Sequence, residues 1–182
     1  MPSHLEFEQW VPFPLEDVFR FFSNPENLPR IMPPATATKL IVVNREPPPT
    51  PPPGGASDKA AGVGTTIVTS FRVVPFLPLR AHWIARITEF EWHRHFADVQ
   101  DKGPFKSWHH RHEFGADLRD GINGTRVRDV IDYEVGMGFF GAMADGVFIR
   151  RQMESAFRHR QQALPGLLGE SGHPETRRSS AG

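Results

Sequence analysis

The sequence predicts an α+β fold in which a curved antiparallel sheet of about seven strands wraps around one long C-terminal helix, with two short helices after the first strand. Segments of apolar and polar residues with a period of two dominate the chain, and most of the links between them are short. A long helical segment follows the last of them. Closely spaced strands with short links are typical of an antiparallel meander.

The N-terminal part of the chain predicts one strand and two short helices. Residues 4–11 alternate between the two faces of a strand. Val18, Phe21 and Phe22 then have the i, i+3, i+4 spacing of a helix. Asn24, followed by a proline, is typical of the cap that begins a new helix.

Six further strands are predicted from β-branched and apolar runs. They are Thr36 to Asn44, Val63 to Val73, Leu79 to Glu91, His95 to Asp101, Phe105 to Phe114 and Thr125 to Val135. Between the first two of them, residues 46–62 contain a proline run and two glycines. Because proline cannot donate ladder hydrogen bonds, we expect an exposed, flexible loop there. A proline-rich ligand for a protein-interaction domain is the alternative.

The C-terminal part predicts a long helix from Ala142 to Leu164 that ends at Pro165–Gly166. At 1.5 Å per residue such a helix is about 34 Å long, enough to cross a sheet. Its apolar face is predicted to contain Phe139, Met143, Val147, Met153, Phe157 and Leu164. Its solvated face is predicted to contain Arg150, Arg151, Glu154, Arg158 and Arg160. Residues 1–165 would form the domain, and residues 166–182 a disordered tail.

The composition excludes several classes of protein. The 182 residues fit one domain, and 21 Lys plus Arg against 21 Asp plus Glu leave no basic field for nucleic acid. The chain has no cysteine for disulfides or thiolate metal sites. Neither a signal peptide nor an apolar membrane span is recognisable. We therefore expect a cytoplasmic protein without integral membrane association.

Phenylalanine is unusually frequent, with 15 Phe against one Tyr. Phe buries an apolar ring without a hydroxyl group that needs a partner. A core rich in Phe can therefore pack against itself or surround a hydrophobic guest.

Several strings in the chain resemble the SRPBCC superfamily, which includes START lipid-transfer domains and polyketide cyclases/dehydratases. They are EQWVP (8–12), PLEDVF (14–19), FSNPENL (22–28), WIARIT (83–88), DVQDKGPF (98–105), WHHRHEF (108–114) and GTRVRDVIDY (124–133). They are most similar to a bacterial subgroup of ligand-binding, cyclase/dehydrase-like members. The resemblance implies a helix-grip fold with a cavity between the sheet and the last helix. It does not by itself imply catalysis.

The strand Phe105 to Phe114 carries the most suggestive polar residues. Its two-residue period puts Trp108, His110 and His112 on one face. Neighbouring strands place Asp98 with Gln100, and Asp129 with Tyr133, on faces that would also point inward. Buried polar groups need partners, because an unpaired one costs about 1–3 kcal/mol.

Three interpretations of this set remain open. It is a self-satisfied internal network, or the polar end of an otherwise apolar pocket, or a catalytic group. In the second case the ligand would contact Trp83, Asp98, Gln100, Trp108, His110, His112, Asp129, Tyr133, Met143, Met153 and Phe157. In the third case His110 or His112 would be a general base, held in one tautomer by Asp98 or Asp129.

No metal ion or cofactor is expected. The His-x-His pair with Asp129 as a third ligand is a weak metal signal, and no phosphate-binding loop or hydrolase motif is recognisable. The leading hypothesis is a module that binds or carries a lipid, polyketide or aromatic metabolite. The alternatives are a cyclase/dehydratase-type enzyme and a protein-interaction module that uses the proline-rich loop.

Overall fold

The computed structural model describes residues 3–53, 59–72, 79–136 and 146–171. Seven strands form one sheet: β1 (Ser3–Val11), β2 (Lys39–Asn44), β3 (Thr66–Arg72), β4 (Arg80–Glu91), β5 (His95–Lys102), β6 (Phe105–Arg119) and β7 (Ile122–Val135). Three α-helices are described: α1 (Leu15–Ser23), α2 (Leu28–Ile31) and α3 (Gly146–Ser171). Short 3-10 turns at Pro25–Asn27 and Pro34–Thr36 complete the link between β1 and β2.

All seven strands pair antiparallel in the order β1-β7-β6-β5-β4-β3-β2. Only the β1–β7 pairing joins strands that are not consecutive in the chain. The predicted α+β fold is therefore confirmed, with a meander from β2 to β7 and the first strand added beside the last. In the predicted cap, the side chain of Asn24 accepts a hydrogen bond from the amide of Glu26 at 3.2 Å.

The hairpin between β6 and β7 is longer than the sequence predicts. The predicted strands end at Phe114 and begin again at Thr125, but pairing continues from Phe105 to Arg119. Asp120 and Gly121 alone make the turn, with φ angles of +51° and +76°. A two-residue turn with positive φ at both positions matches the twist of the flanking strands.

Helix α3 continues through Pro165 to Ser171, so the predicted end at Leu164 is wrong. A proline has no N–H for the carbonyl four residues earlier, here that of Gln161. That carbonyl instead accepts a hydrogen bond of 2.7 Å from the side chain of Gln9 on β1. The last turns also bury Leu168, which explains why the helix continues. Residues 142–145 and 172–182, which the predictions also covered, lie outside the described residues.

One end of the space between sheet and helices, which we name the closed end, is filled with apolar side chains. Its buried residues include Val11, Val18, Phe19, Phe21, Ile31, Ile67, Ile87, Phe96, Phe114, Val127, Leu164 and Leu168. Phe19 lies at its centre, with no exposed surface. The ring centroids of Phe90, Phe96 and Phe114 lie 5.1–6.1 Å from that of Phe19, in edge-to-face contacts.

The described parts of the proline-rich segment contact the body of the domain. The amide of Gly62 donates to the carbonyl of Glu46 at 2.9 Å, and Trp92 Nε1 donates to the carbonyl of Thr50 at 2.8 Å. A Cβ at Gly62 would lie 2.1 Å from the carbonyl oxygen of Pro47, so only glycine fits there. Both described ends of the segment are thus attached to the fold, while residues 54–58 lie outside the described residues.

Within the residues that the structure describes, no helix is long and apolar enough to cross a membrane.

Candidate functional site

Five charged or titratable side chains meet between the middle of the sheet and α3, and we name them the polar cluster. They are Asp98 on β5, His110 and His112 on β6, Asp129 on β7 and Arg160 on α3. Strand pairing brings the first four together, because Asp98 is opposite His110 and His112 is opposite Asp129. Period-two alternation then turns all four toward the helix, as the sequence predicts.

A single carboxylate oxygen is the centre of this cluster. Asp129 Oδ1 lies 2.7 Å from His112 Nδ1, 3.1 Å from His110 Nε2 and 3.0 Å from Arg160 Nη2. Arg160 Nη2 is also 3.2 Å from His112 Nδ1. One acceptor on β7 thus joins two residues of β6 to the helix.

Asp129 is held in its ionised form. Burial raises the pKa of this carboxyl, but the Arg160 guanidinium and hydrogen bonds from both imidazoles outweigh burial and hold the pKa well below its ordinary value of 3.8. An ionised carboxylate only accepts hydrogen bonds, so His110 Nε2, which lies 3.1 Å from Asp129 Oδ1, carries a proton. The carboxylate therefore selects the tautomer of neutral His110, while His112 Nδ1 faces both the carboxylate and the Arg160 guanidinium.

Burial also determines the charge of the neighbouring groups. It lowers the pKa of His112 to about 3, with the positive field of His110 in the same direction and Asp129 opposing it. His112 is therefore neutral at physiological pH. Burial likewise lowers the pKa of Arg160, although Asp129 opposes that shift and the guanidinium remains charged.

Asp98 differs from Asp129 because it has no comparable partner. The shortest ion-pair distance for Asp98 is 3.7 Å, from its Oδ2 to His110 Nδ1. Burial raises the pKa of Asp98 above 3.8, and the charge of His110 and the nearby indole N–H of Trp108 only partly offset the effect. No hydrogen bond to the Asp98 carboxylate meets ordinary geometric criteria among the described residues.

Arg160 is the site residue that sequence reasoning missed. The prediction placed it on the solvated face of the helix, but Arg160 is 8% exposed. Its guanidinium lies over the ring of Phe22, 4.5 Å from the centroid. The signal was present in the spacing, because Arg160 follows Phe157 by three residues and precedes Leu164 by four, which puts it within the apolar stripe.

On the far side of the polar cluster from the closed end lies a set of four rings, which we name the aromatic group: Phe71, Trp83, Phe105 and Trp108. Trp83 and Trp108 meet edge to face with centroids 4.9 Å apart, and Phe105 lies 5.1 Å from Trp108. Each of the four rings retains some exposure to solvent. Trp108 Nε1 is buried and has no hydrogen-bond partner of ordinary geometry among the described residues.

Three of the other predicted ligand contacts surround these two groups. Tyr133 is buried against Phe105, with ring centroids 5.6 Å apart, and Met153 packs in the same apolar cluster. Phe157 stacks on Phe7 of β1 at 4.2 Å, with its ring 5.7 Å from that of His110. Met143, the remaining helix residue predicted to contact a ligand, lies outside the described residues.

Gln100 has a structural use. Its Nε2 donates to the carbonyl of Phe105 at 2.8 Å, and its Oε1 accepts from the amide of Phe105 at 3.2 Å. A Cβ at Gly103 would lie 2.3 Å from this Oε1, so the hairpin between β5 and β6 is built around the amide. Both ends of Gln100 are therefore engaged before any ligand contacts it.

The polar cluster also contains a metal-ligating combination. Asp98, His110 and His112 each place one ligand atom within 4.8 Å of the other two. The third ligand differs from the sequence-based suggestion, because Asp129 is already bound by three donors.

Two shallow depressions are lined wholly by described residues, and both lie away from these groups. One of about 470 Å³ includes Val68, Arg80 and Ile84, and one of about 590 Å³ follows the proline-rich segment. Neither includes a residue of the polar cluster or the aromatic group. The cavity expected between sheet and helix therefore stays a proposal.

Comparison with known proteins gives a family and a fold. A family model described as polyketide cyclase/dehydrase and lipid transport matches residues 11–160. No curated protein sequence matches the chain.

Solved structures similar to the chain include three with a START-type or related fold. A START superfamily protein from Mycobacterium smegmatis has a TM-score of 0.60 at 13% identity, over 92% of this chain and 98% of that one. TTHA0849 from Thermus thermophilus has a TM-score of 0.59 at 14% identity, over 94% and 100%. Norcoclaurine synthase from Thalictrum flavum, in complex with dopamine and hydroxybenzaldehyde, has a TM-score of 0.58 at 15% identity, over 96% and 90%. At these identities the likeness establishes the helix-grip fold.

Proposed function

The chain belongs to the polyketide cyclase/dehydrase and lipid-transport family, and from that membership we propose that it binds or carries a small, largely apolar molecule between the aromatic group and α3. Lipids, polyketides and aromatic metabolites are the classes that fit. The closed end excludes the ligand because its volume is filled by side chains. The ligand therefore lies on the side of Trp83 and Trp108.

The observation that carries this proposal is the partial exposure of the aromatic group. Four large rings on the concave face of the sheet retain contact with solvent, although Phe19, Phe21, Phe96 and Phe114 at the closed end are buried. Covering apolar surface contributes about 25 cal/mol per Å². A ligand that removes about 100–200 Å² of this surface from water would thus gain about 2.5–5 kcal/mol.

The adjacent polar groups would orient the ligand. Trp108 Nε1 is a buried donor without a well-aligned partner among the described residues, and the Asp98 carboxylate lies nearby with 16% of its side chain exposed. A ligand hydroxyl can accept from the first and donate to the second, which satisfies both groups. This favours a molecule with an apolar body and one hydroxyl or carbonyl group.

Native mass spectrometry and a fluorescence titration test the proposal. The chain purified from cells should carry an apolar guest, or should bind the apolar dye 1-anilinonaphthalene-8-sulfonate with saturation. Trp83→Ala should weaken dye binding about tenfold, since it removes a ring that covers the ligand. Trp92→Ala, which removes an indole near the closed end, is the matched control and should bind the dye as the native chain does.

The proposal is abandoned if no guest is found and the dye does not bind with saturation. Equal affinities in the native chain and the Trp83→Ala variant would also contradict it.

A second function, an enzyme of the cyclase/dehydratase type, is favoured by one contact. Asp129 holds His110 with its Nε2 protonated, which leaves Nδ1 free as a base near Asp98. His112 is the poorer base, because burial lowers its pKa to about 3. If the protein is an enzyme, His110→Gln should abolish turnover with a folded chain, and turnover that survives in this variant would exclude the mechanism.

A further inference from the structure

The two histidines of the polar cluster are arranged as metal ligands usually are. His112 Nδ1 is 2.7 Å and His110 Nε2 is 3.1 Å from the same oxygen of Asp129, which are hydrogen-bond distances between a ring N–H and a carboxylate. In its neutral form each imidazole keeps one nitrogen with a lone pair that can bind a metal ion. Metal-binding histidines almost always donate their other N–H to a carboxylate or carbonyl in this way.

One of these lone pairs faces another electron-rich group. His110 Nδ1 lies 3.7 Å from Asp98 Oδ2, too far for a hydrogen bond, and it carries no proton when His110 is neutral. Two acceptors that face each other in a buried place repel unless a cation lies between them. Side-chain exposures of 10% for His110 and 16% for Asp98 limit how far bulk water can screen that repulsion.

We propose that Asp98, His110 and His112 bind a divalent first-row transition-metal ion, with Asp129 as the outer carboxylate that orients both imidazoles. The ligand set of two neutral nitrogens and one carboxylate oxygen is typical of Zn²⁺ and Fe²⁺ sites. It disfavours Ca²⁺ and Mg²⁺, which prefer oxygen ligands only.

The separations fit such an ion. Two ligands about 2.1 Å from a tetrahedral ion are about 3.4 Å apart. The distance from Asp98 to His110 is 3.7 Å, and all three ligand atoms lie within 4.8 Å of one another. Small side-chain rotations would therefore close the site without a movement of the strands.

The charges also permit an ion here. Asp129 is paired with Arg160, so the net charge of that pair is close to zero. Asp98 then remains as the one carboxylate of the polar cluster without a counter-charge in hydrogen-bond contact. A divalent ion would supply that charge and would leave coordination positions open for water or a ligand group.

Metal titration of the full chain tests the proposal. After EDTA treatment and removal of the chelator, ZnCl₂ should bind at one ion per chain by calorimetry. CoCl₂ should give the visible absorption bands of a low-symmetry Co²⁺ site. Asp98→Asn and His112→Gln should each weaken Zn²⁺ binding at least about 100-fold, since a lost ligand costs no less than a lost outer-shell partner.

The Asp98→Asn variant should fold as the native chain does. Asp98 accepts no hydrogen bond of ordinary geometry among the described residues, and Asp98→Asn keeps a carboxamide oxygen for the nearby indole. His109→Gln is the matched control, because His109 adjoins His110 on the strand but points to the outer face and is 39% exposed. It should bind Zn²⁺ as the native chain does.

Two outcomes overturn the site. The first is a native chain that binds no Zn²⁺ or Co²⁺ stoichiometrically, in which case a proton on His110 is the cation between the two groups. The second is a loss of binding in His109→Gln as large as that in Asp98→Asn, which would place the ion on surface histidines. The result does not depend on the proposed apolar ligand, because dye binding and ion binding are measured separately.

Discussion

The two ends of the concave face use the same residue type for different purposes. At the closed end, Phe19 is completely buried and three other rings surround it edge to face. At the other end, Trp83 and Trp108 also meet edge to face, yet both remain partly exposed. The abundance of aromatic rings therefore does not distinguish a core from a binding surface. What distinguishes them is how much of the rings stays exposed to solvent.

The polar cluster marks the boundary between these ends. On the closed side, the ring of His112 lies 4.4 Å from that of Phe96. On the other side, the ring of His110 lies 5.9 Å from that of Trp108. A layer of buried charge thus separates the packed core from the aromatic group. If the two ends have separate roles, substitutions on either side should affect different measurements.

The sharpest test compares one ring from each end. Phe19→Ala should lower the free energy of unfolding by about 3–5 kcal/mol, because it leaves a cavity in a filled core. Trp83→Ala should lower it by about 1–2 kcal/mol, since part of that ring is already in water. Urea unfolding followed by circular dichroism measures both. Equal losses would show that the two ends are packed alike.

Arg160 tests the boundary itself. Arg160→Met should cost about 3–5 kcal/mol of unfolding free energy, because it leaves the buried charge of Asp129 without its cation. Arg158→Met is the control, since Arg158 is an exposed arginine on the same helix. If Arg160→Met and Arg158→Met unfold at the same urea concentration, the polar cluster does not need the guanidinium of Arg160.

The boundary should also make the protein sensitive to acid. The pKa of His112 is lowered to about 3 by burial, whereas in the unfolded chain it is near 6.5. Between these values the unfolded chain binds a proton that the native chain does not, so stability falls as the pH falls. The loss between about pH 7 and pH 4 should be about 3 kcal/mol.

Urea unfolding in EDTA at a series of pH values measures this slope. The raised pKa of Asp98 acts in the opposite direction, because there the native chain binds the extra proton. The contribution of His112 is the difference between the native chain and His112→Gln. The free energy of unfolding of this variant should depend less steeply on pH. An identical slope in native and variant chains would remove His112 as the cause.

The smallest effect is expected where α3 meets β1. Gln9→Met removes the donor that bonds the carbonyl of Gln161 at 2.7 Å, while it keeps most of the side-chain volume. The cost should be about 1 kcal/mol, the usual net contribution of one hydrogen bond. Urea unfolding measures it. A larger loss at Gln9 than at Arg160 would reverse the ranking of the two contacts between helix and sheet.

The architecture was predictable because period-two and period-3.6 patterns survive in the chain and the links are short. The inward direction of Trp108, His110 and Asp129 followed from the same alternation. Two features did not follow from local pattern. Arg160 was assigned to solvent from its charge alone, although its spacing placed it beside Phe157. A buried charge needs a partner, and local pattern cannot show that Asp129, far along the chain on β7, supplies it. The end of α3 was placed at Pro165 because local propensity cannot show that Leu168 has a core to enter.

Pro165 has a consequence for how the two layers are aligned. In an unbroken helix the carbonyl of Gln161 would be used within the helix, and Gln9 would have nothing to bind. The proline frees that oxygen for the strand, and Gln161 Nε2 returns a bond to the carbonyl of Glu8 at 3.1 Å. These two hydrogen bonds fix the position of the helix along the sheet, one residue from Arg160. Pro165 thereby helps to hold the guanidinium of Arg160 beside the carboxylate of Asp129. A shift of the helix by one turn would separate these two groups by about 5 Å.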